Sequence, residues 1–298
     1  MVLASIPSPA RSAWHLGALP IRAQAVCVAA GIILALVIAE RRYRAAGGAP
    51  YVILDVAAWA IPAGLIPAAL VVLLAPVHSG PWHAVRTWGE VIGFPGAVAL
   101  GAIAAWLACR RLSGRAGPGA AAPPDGVPST AARRIRLGPV AGAVAPAMAF
   151  GLAVAAIGNW IAQQGYGRPS SLPWAVAISP VHRPSGYENF ATFQPMFLYQ
   201  ALWGITTALA VIWAGRRFAL PGERVFALQA AAYAAGGFGL FWLGIGHLPV
   251  VLGLRAGELG DAVVLVGAAV YLARTRRMRN KPLQAAQKAV LERGSSVM

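Results

Sequence analysis

Long apolar stretches with few or no charged residues are the feature that most limits how this chain can fold. Lipid offers no hydrogen bonds to a spanning backbone, so the helix, which satisfies its own backbone, is the favoured form. A crossing takes about 20 apolar residues, and the sequence predicts seven such helices, at residues 23–39, 56–77, 91–109, within 137–167, 195–215, 225–246 and 257–273. Because 58% of the 298 residues are hydrophobic and 11% are charged, we expect an all-α, polytopic membrane protein with seven transmembrane helices.

Arginine and lysine residues are distributed unevenly between the two ends of the predicted helices. If the N-terminus lies outside, the inside segments hold 19 of these cations and the outside segments hold 6. Because basic residues are retained on the cytoplasmic side, this split predicts the N-terminus outside and the C-terminus in the cytoplasm. The net charge of +16 is therefore concentrated at helix ends, and no nucleic-acid partner is expected.

The predicted domain organisation is one transmembrane domain, residues 1–275, followed by a basic cytoplasmic tail, residues 276–298. The segment 112–135 is rich in Gly, Ala and Pro and is predicted to be a flexible cytoplasmic linker. The outer segment 159–194 carries many aromatic residues and is predicted to be ordered and to lie at the membrane interface. Cys27 and Cys109 lie in apolar stretches without metal-ligand spacing, so we expect small core residues and no metal site.

Three amide side chains interrupt the fourth apolar stretch near its outer end. Asn159, Gln163 and Gln164 lie within six residues, where a lipid-facing helix favours Leu or Val. An amide surrounded by hydrocarbon is costly unless it has a hydrogen-bond partner. These residues therefore predict a polar cavity at the outer end of this helix.

Several short motifs follow one another in a recognisable order. The N-terminal ones are Ile6-Pro-Ser-Pro9, Trp14-His-Leu-Gly17 and Leu19-Pro-Ile-Arg22, and the central ones are Ile157-Gly-Asn-Trp160, Tyr166-Gly-Arg-Pro169 and Leu172-Pro-Trp174. Later motifs are Pro195-Met-Phe-Leu-Tyr199, Arg224-Val-Phe-Ala-Leu228 and Leu252-Gly-Leu-Arg255. Together, over about residues 5–275, they resemble the bacterial prolipoprotein diacylglyceryl transferases, in an actinobacterial style.

The resemblance implies a substrate pair and a location. Members of this family move a diacylglyceryl group from phosphatidylglycerol to the lipobox cysteine thiol of a preprolipoprotein, and glycerol phosphate leaves. It also implies a multi-pass protein of the bacterial cytoplasmic membrane, a monomer, and no cofactor. The chemistry needs a group that holds an anionic phosphate, for which arginine is best suited, and a group that helps to form the nucleophilic thiolate.

The chain departs from the family pattern mainly at charged positions. Where the central motif of the family begins Gly-Arg, this chain has Ala155 and Ala156, and the arginine of the sixth helix is replaced by Leu240. The other replacements are Ala162, Gln164, Gly244, His247, Ala69, Gln24, Gln194, Gln200 and Pro95-Gly-Ala97. Because the Gly, Pro and Trp positions are kept, we expect the fold to be retained and the grip on phosphate to be weakened.

Six residues at motif positions are candidates for binding substrate: Gly158, Asn159, Gln164, Tyr166, Arg168 and His247. Asn159 either hydrogen-bonds lipid headgroup oxygens or joins two helices. Arg168 either meets a lipid phosphate or simply snorkels to the interface. His247 is either a weak phosphate or proton partner or a polar helix end. No residue is assigned a catalytic role by the sequence.

Two further groups of charged residues have simpler explanations. His182 and Arg183 are expected to shape the outer loop. Glu258 and Asp261 open the seventh predicted helix, where acidic residues complement the helix dipole.

Three functions remain to be compared: an active transferase with a rearranged site, a catalytically degenerate member that binds lipid or a lipoprotein precursor, and a transporter or channel. The third requires a polar stripe along at least two spans. The first, second, third and fifth predicted spans contain no charged residue, so this function ranks last. The missing arginines at positions 156 and 240 favour weak or lost transferase activity.

Overall fold

The computed structural model describes residues 5–9, 13–16, 19–74, 81–114, 135–245, 250–251, 254–255 and 257–275. Helices make up most of this part of the chain: α1 (Ala23–Ala45), α2 (Val52–Leu74), α3 (Pro81–Gly114), α4 (Leu137–Ile161), α5 (Met196–Arg217), α6 (Gly222–Phe241) and α7 (257–275). The connections carry short strands, β1 (Ala13–Leu16), β2 (Leu19–Arg22), β3 (Val176–Ala177), β4 (Thr192–Phe193), β5 (Val250–Val251) and β6 (Leu254–Arg255), and a 3-10 turn at Pro180–His182.

The predicted mostly helical fold is confirmed, although several helix boundaries differ from the predicted ones. α1 continues past residue 39, because Arg42 and Arg44 in its last turn are cations that favour a helix C-terminus. α3 begins at Pro81 rather than at 91, and α4 ends at Ile161 rather than near 167. The predicted linker and tail fall largely or wholly outside the described residues, at 115–134 and 276–298.

Four helices within the described residues are long and apolar enough to cross a membrane. They are Ala23–Ala45, Gly96–Ser113 within α3, Leu137–Ile161 and Met196–Arg217. A shorter apolar helical stretch, Val52–Ile66, lies in α2. That seven helices span the membrane, and the orientation in which they do so, stay predictions.

Helix α4 lies at the centre of the helical bundle. It contacts α1, α5 and α6, and half of it is buried inside the protein, a larger share than in α1, α3 or α5. Its buried residues are mostly small: Gly151 faces Gly31 of α1, and Ala149 and Ala153 face Gly204 of α5. Small residues let helix backbones approach closely, which is the main packing device available where lipid removes the hydrophobic driving force.

A close backbone contact joins α1 and α4 through two glycines. A Cβ atom added to Gly151 would lie 2.6 Å from the carbonyl oxygen of Gly31, too close for any side chain. Nearer the outer end, a Cβ on Gly158 would lie 3.0 Å from both Gln24 Cα and Cys27 Cβ. These contacts fix which residues of α1 lie beside the end of α4.

The connection between α4 and α5 is ordered, as predicted. β3 pairs antiparallel with β4, and Ile6 joins β3 in parallel, donating to Ala175 O at 2.8 Å. The buried residues Val176, Ile178 and Phe193 pack with aromatic neighbours beneath this small sheet. The sequence did not predict these strands, because two-residue strands have no alternating pattern to detect.

The α1–α4 contact yields a stability prediction. Gly151→Leu overpacks the contact, so we expect a loss of about 1–3 kcal/mol and a lower melting temperature in detergent. Gly267→Leu is the matched control, because a Cβ there meets no atom within 4 Å and we expect little change. Equal melting temperatures for the two variants would contradict the close approach of α1 and α4.

Candidate functional site

The candidate site begins where α4 ends. Asn159 lies in the last turn of the helix, and its carbonyl oxygen accepts from Gln164 N at 2.9 Å. Gln163 and Gly165 then take positive φ angles of 51° and 62°, a left-handed conformation that suits glycine and ends helices. The chain therefore reverses directly above Asn159.

Asn159 is hydrogen-bonded to the first helix. Gln24 Nε2 donates to Asn159 Oδ1 at 3.1 Å, and both side chains are half-buried. The contact depends on Gly158, because α1 packs against the space where its side chain would be. Gly158 and Asn159, predicted together from the central motif, therefore have separate roles, one in packing and one in polar contact.

The two glutamines of the motif differ in role. Gln163 is 6% exposed, and its amide is fully occupied, with Nε2 donating to Pro9 O at 3.1 Å and Oε1 accepting from Ser179 N at 2.9 Å. It fastens the N-terminal segment and the outer loop to the end of α4. Gln164 is exposed, so its amide faces the surface.

Tyr166 is held in the segment between α4 and α5 by its ring and its hydroxyl. The ring lies 4.9 Å from that of Phe193, and the hydroxyl donates to the backbone carbonyl of His182. Burial raises the pKa of the Tyr166 phenol, so the hydroxyl stays protonated, and able to donate, at neutral pH. Its contacts in the structure are those of a residue that shapes the loop.

Arg168 connects the segment between α4 and α5 to the residues that follow α6. Its backbone N–H donates to Leu243 O at 2.8 Å, and its carbonyl oxygen accepts from Gln194 N at 3.0 Å. The side chain is exposed, which leaves the guanidinium at the surface of the protein. His247, the remaining predicted site residue, lies outside the described residues.

The neighbouring loop uses its own polar groups internally. Arg183 donates through Nε to Ile178 O at 3.1 Å and through Nη1 to Glu188 O at 2.8 Å. His182 Nδ1 lies 2.8 Å from Ser179 Oγ. The expectation that His182 and Arg183 shape the loop is therefore confirmed. A bond from Trp174 Nε1 to Tyr199 OH at 3.0 Å ties two further motifs together.

The two positions that carry arginine in the family pattern lie on helices that contact each other. Ala156 on α4 is 5% exposed, and Leu240 on α6 is half-buried. Neither residue offers a charge or a hydrogen bond. Within the described residues no group of three or more His, Cys, Asp or Glu residues is placed to hold a metal ion, and the side chain hydrogen-bonded to Asn159 is the amide of Gln24.

Sequence reasoning missed a set of buried polar residues deeper in the bundle. Gln229 on α6 donates to Thr207 on α5 at 3.1 Å, with both residues buried. Asp261 and Glu258 on α7 are each 7% exposed, and Gly237 leaves room for the Asp261 carboxyl against α6. The helix dipole alone does not account for their burial, and acidic residues within an apolar helix are themselves a signal of burial between helices.

Comparisons with known proteins agree with the motifs. Residues 11–123 and 126–274 match the family model described as prolipoprotein diacylglyceryl transferase.

Similar curated proteins include phosphatidylglycerol–prolipoprotein diacylglyceryl transferase 2 of Streptomyces coelicolor, 39% identical over 91% of this chain and 81% of the relative. The enzyme of the same name from Frankia alni is 38% identical over 93% of this chain and 69% of the relative. The one from Corynebacterium efficiens is 35% identical over 95% and 87%. Because the family model and the relatives cover nearly the whole chain, this protein belongs to the prolipoprotein diacylglyceryl transferase family.

Proposed function

We propose that this chain transfers a diacylglyceryl group from phosphatidylglycerol to the lipobox cysteine of a preprolipoprotein, at a rate well below that of relatives with arginine at positions 156 and 240. The observation that carries the proposal is the combination of a family match over nearly the whole chain with an alanine and a leucine at those two positions. The scaffold and its substrates are those of the family, and the grip on phosphate is reduced.

The reaction requires the thiolate sulfur to attack the diacylglyceryl carbon while the bond from that carbon to the phosphate oxygen breaks. Negative charge then grows on the departing glycerol phosphate. Removing one preorganised group that stabilises such charge costs about 10²- to 10³-fold in rate in other enzymes. Ala156 and Leu240 supply no such group, which is why we infer slow turnover.

The candidate residues divide the remaining work. Asn159 presents an amide to headgroup oxygens, and Gly158 allows α1 to pack beside it. Gln164 and Arg168 lie exposed at the outer surface, where the amide and the guanidinium meet the lipid headgroup. Tyr166 holds the loop that borders the site, and His247 completes the set as a weak phosphate or proton partner.

The proposal includes a topology. Seven helices cross the bacterial cytoplasmic membrane with the N-terminus outside, residues 1–275 form one monomeric transmembrane domain, and residues 276–298 form a cytoplasmic tail. The support is the excess of basic residues on the proposed inner side, since basic residues are retained in the cytoplasm.

A second function is favoured by the burial of Ala156. Ala156 is only 5% exposed, so a cationic group from another part of the chain has little space to take the place of the missing arginine. The alternative is therefore a member that binds lipid or lipoprotein precursor without turnover. The first function predicts transfer from phosphatidylglycerol, and the second predicts binding of lipid or of a lipoprotein precursor without transfer.

The transfer rate separates these functions. We expect the full-length chain, expressed in a strain depleted of its own transferase, to restore growth weakly and to label a lipobox peptide with radioactive diacylglycerol slowly. The expected rate is about 10²-fold or more below that of a family member with both arginines. Transfer at that member's rate would sink the proposal, and binding without transfer would establish the alternative.

Back-substitution tests the reason for slow turnover. Ala156→Arg combined with Leu240→Arg restores two phosphate-binding groups, so we expect the labelling rate to rise about tenfold or more. Leu240→Gln with Ala156 unchanged is the neutral control, and melting temperatures report whether the buried position 156 tolerates the larger residue. A well-folded double variant with the wild-type rate would show that these arginines do not limit transfer.

Accessibility to a membrane-impermeant maleimide tests the topology. In a chain without Cys27 and Cys109, we expect Val181→Cys, at a side chain 91% exposed, to be labelled in intact cells. Phe218→Cys, at the proposed inner end of α5, should react only after the membrane is permeabilised. The reverse pattern would contradict the orientation.

A further inference from the structure

We infer that Gln24 is a positioning residue that fixes the Asn159 amide as a hydrogen-bond donor toward the lipid headgroup. The inference rests on the proposed function, because it assigns a role within that lipid site. It concerns a position at which this chain departs from the family pattern, since Gln24 stands where that pattern has tyrosine.

The first step is the depth at which the two residues meet. Gly158 has no side chain, and a Cβ atom added to it would lie 3.0 Å from the Cα atom of Gln24. Gln24 is therefore held beside the last turn of α4. Its side chain reaches the next residue of that turn, and Nε2 donates to Asn159 Oδ1 at 3.1 Å.

The second step is the polarity of the Asn159 amide. An asparagine amide has one accepting oxygen and one donating NH₂ group. The oxygen of Asn159 accepts from Gln24, so the NH₂ group is the part of the amide that is left to bind a ligand. No hydrogen bond from Asn159 Nδ2 to another described residue is present, and this atom is not among the buried unpaired atoms of the described residues.

The third step is the space around Nδ2. Gly165 lies above it in the left-handed turn, with φ of 62°, and a Cβ there would lie 3.9 Å from Nδ2. The turn thus passes close to the NH₂ group and adds no side chain over it. Since Asn159 is half-buried rather than enclosed, a ligand oxygen arriving from the outer side can reach this donor.

The ligand chemistry follows from the donor. A neutral NH₂ group binds phosphodiester and glycerol oxygens without requiring a charge, so it suits the headgroup of phosphatidylglycerol where the arginine of the neighbouring turn has become Ala156. Removing one neutral hydrogen bond weakens binding about fivefold, whereas turning the amide so that its oxygen faces the ligand weakens binding further.

Gln24→Glu separates positioning from simple helix joining. An ionised carboxylate can only accept, so it bonds to Asn159 Nδ2 and turns the amide. The hydrogen bond between α1 and α4 is kept, and the Oδ1 atom of Asn159 now faces the phosphate. A structural role alone predicts that this variant melts like the wild type and loses affinity only through repulsion between the new carboxylate and the phosphate, which salt screens, while Gln24→Leu loses stability. Binding is therefore compared in low and high salt, because a turned amide weakens binding in high salt as well.

The experiment measures binding of a fluorescent short-chain phosphatidylglycerol to the purified full-length chain in detergent, together with melting temperatures. We expect Kd to rise about fivefold in Gln24→Leu and at least tenfold in Gln24→Glu, with the Glu variant as stable as the wild type. Asn159→Ala should weaken binding, and adding Gln24→Leu to it should cause no further loss. Cys27→Ala is the matched control, because it alters the same contact with Gly158 without touching the amides.

The outcomes distinguish the inference from the function on which it rests. If wild-type protein binds phosphatidylglycerol and both Gln24 variants bind equally well, the positioning role is overturned and the proposed function stands. If the Gln24→Leu and Asn159→Ala effects add, the two residues act separately and the inference fails as well. If the wild type binds no phosphatidylglycerol, the proposed function and the inference both fail.

Discussion

The contact between α1 and α4 is the constraint on which the rest of the structure depends. In lipid, helices gain little from burying apolar side chains against each other, so close backbone packing has to hold them together. Here two glycines, Gly31 and Gly151, bring the backbones together in the middle of the helices, and Gly158 continues the contact toward the outer end. Without that approach, Gln24 would not reach Asn159.

The packing of α4 also explains why position 156 holds a small residue. The buried residues of α4 are alanine and glycine apart from Val140 and Pro146, and Ala156 is one of them. A long charged side chain at position 156 would have to turn away from the interior of the protein or push a neighbouring helix away. The alanine at this position and the tight packing of α4 are thus consistent with each other, and the polar groups of the candidate site include the Gln24–Asn159 amide pair at the end of the helix and the exposed side chains of Gln164 and Arg168.

Much of the fold was predictable from the sequence, because apolar stretches of about 20 residues have few alternatives to helix. The outer ends were less predictable. Gln163 and Gln164 look alike in sequence, yet one is buried with both amide atoms bonded and the other is exposed. The difference arises from the turn at Gln163 and from contacts with Pro9 and Ser179, which are distant in the chain. Similarly, the burial of Asp261 depends on the missing side chain of Gly237 on another helix, a pairing that no local pattern reveals.

The central claim is that a family scaffold with neutral residues at two charged positions still carries out the reaction, slowly. The most direct measurement is single-turnover transfer by purified protein in vesicles containing phosphatidylglycerol, followed by the mass of a lipobox peptide. The account predicts that the peptide gains one diacylglyceryl group only when phosphatidylglycerol is present, with a rate constant far below that of a relative carrying both arginines. An unmodified peptide after prolonged incubation, or a rate equal to that of the relative, would contradict it.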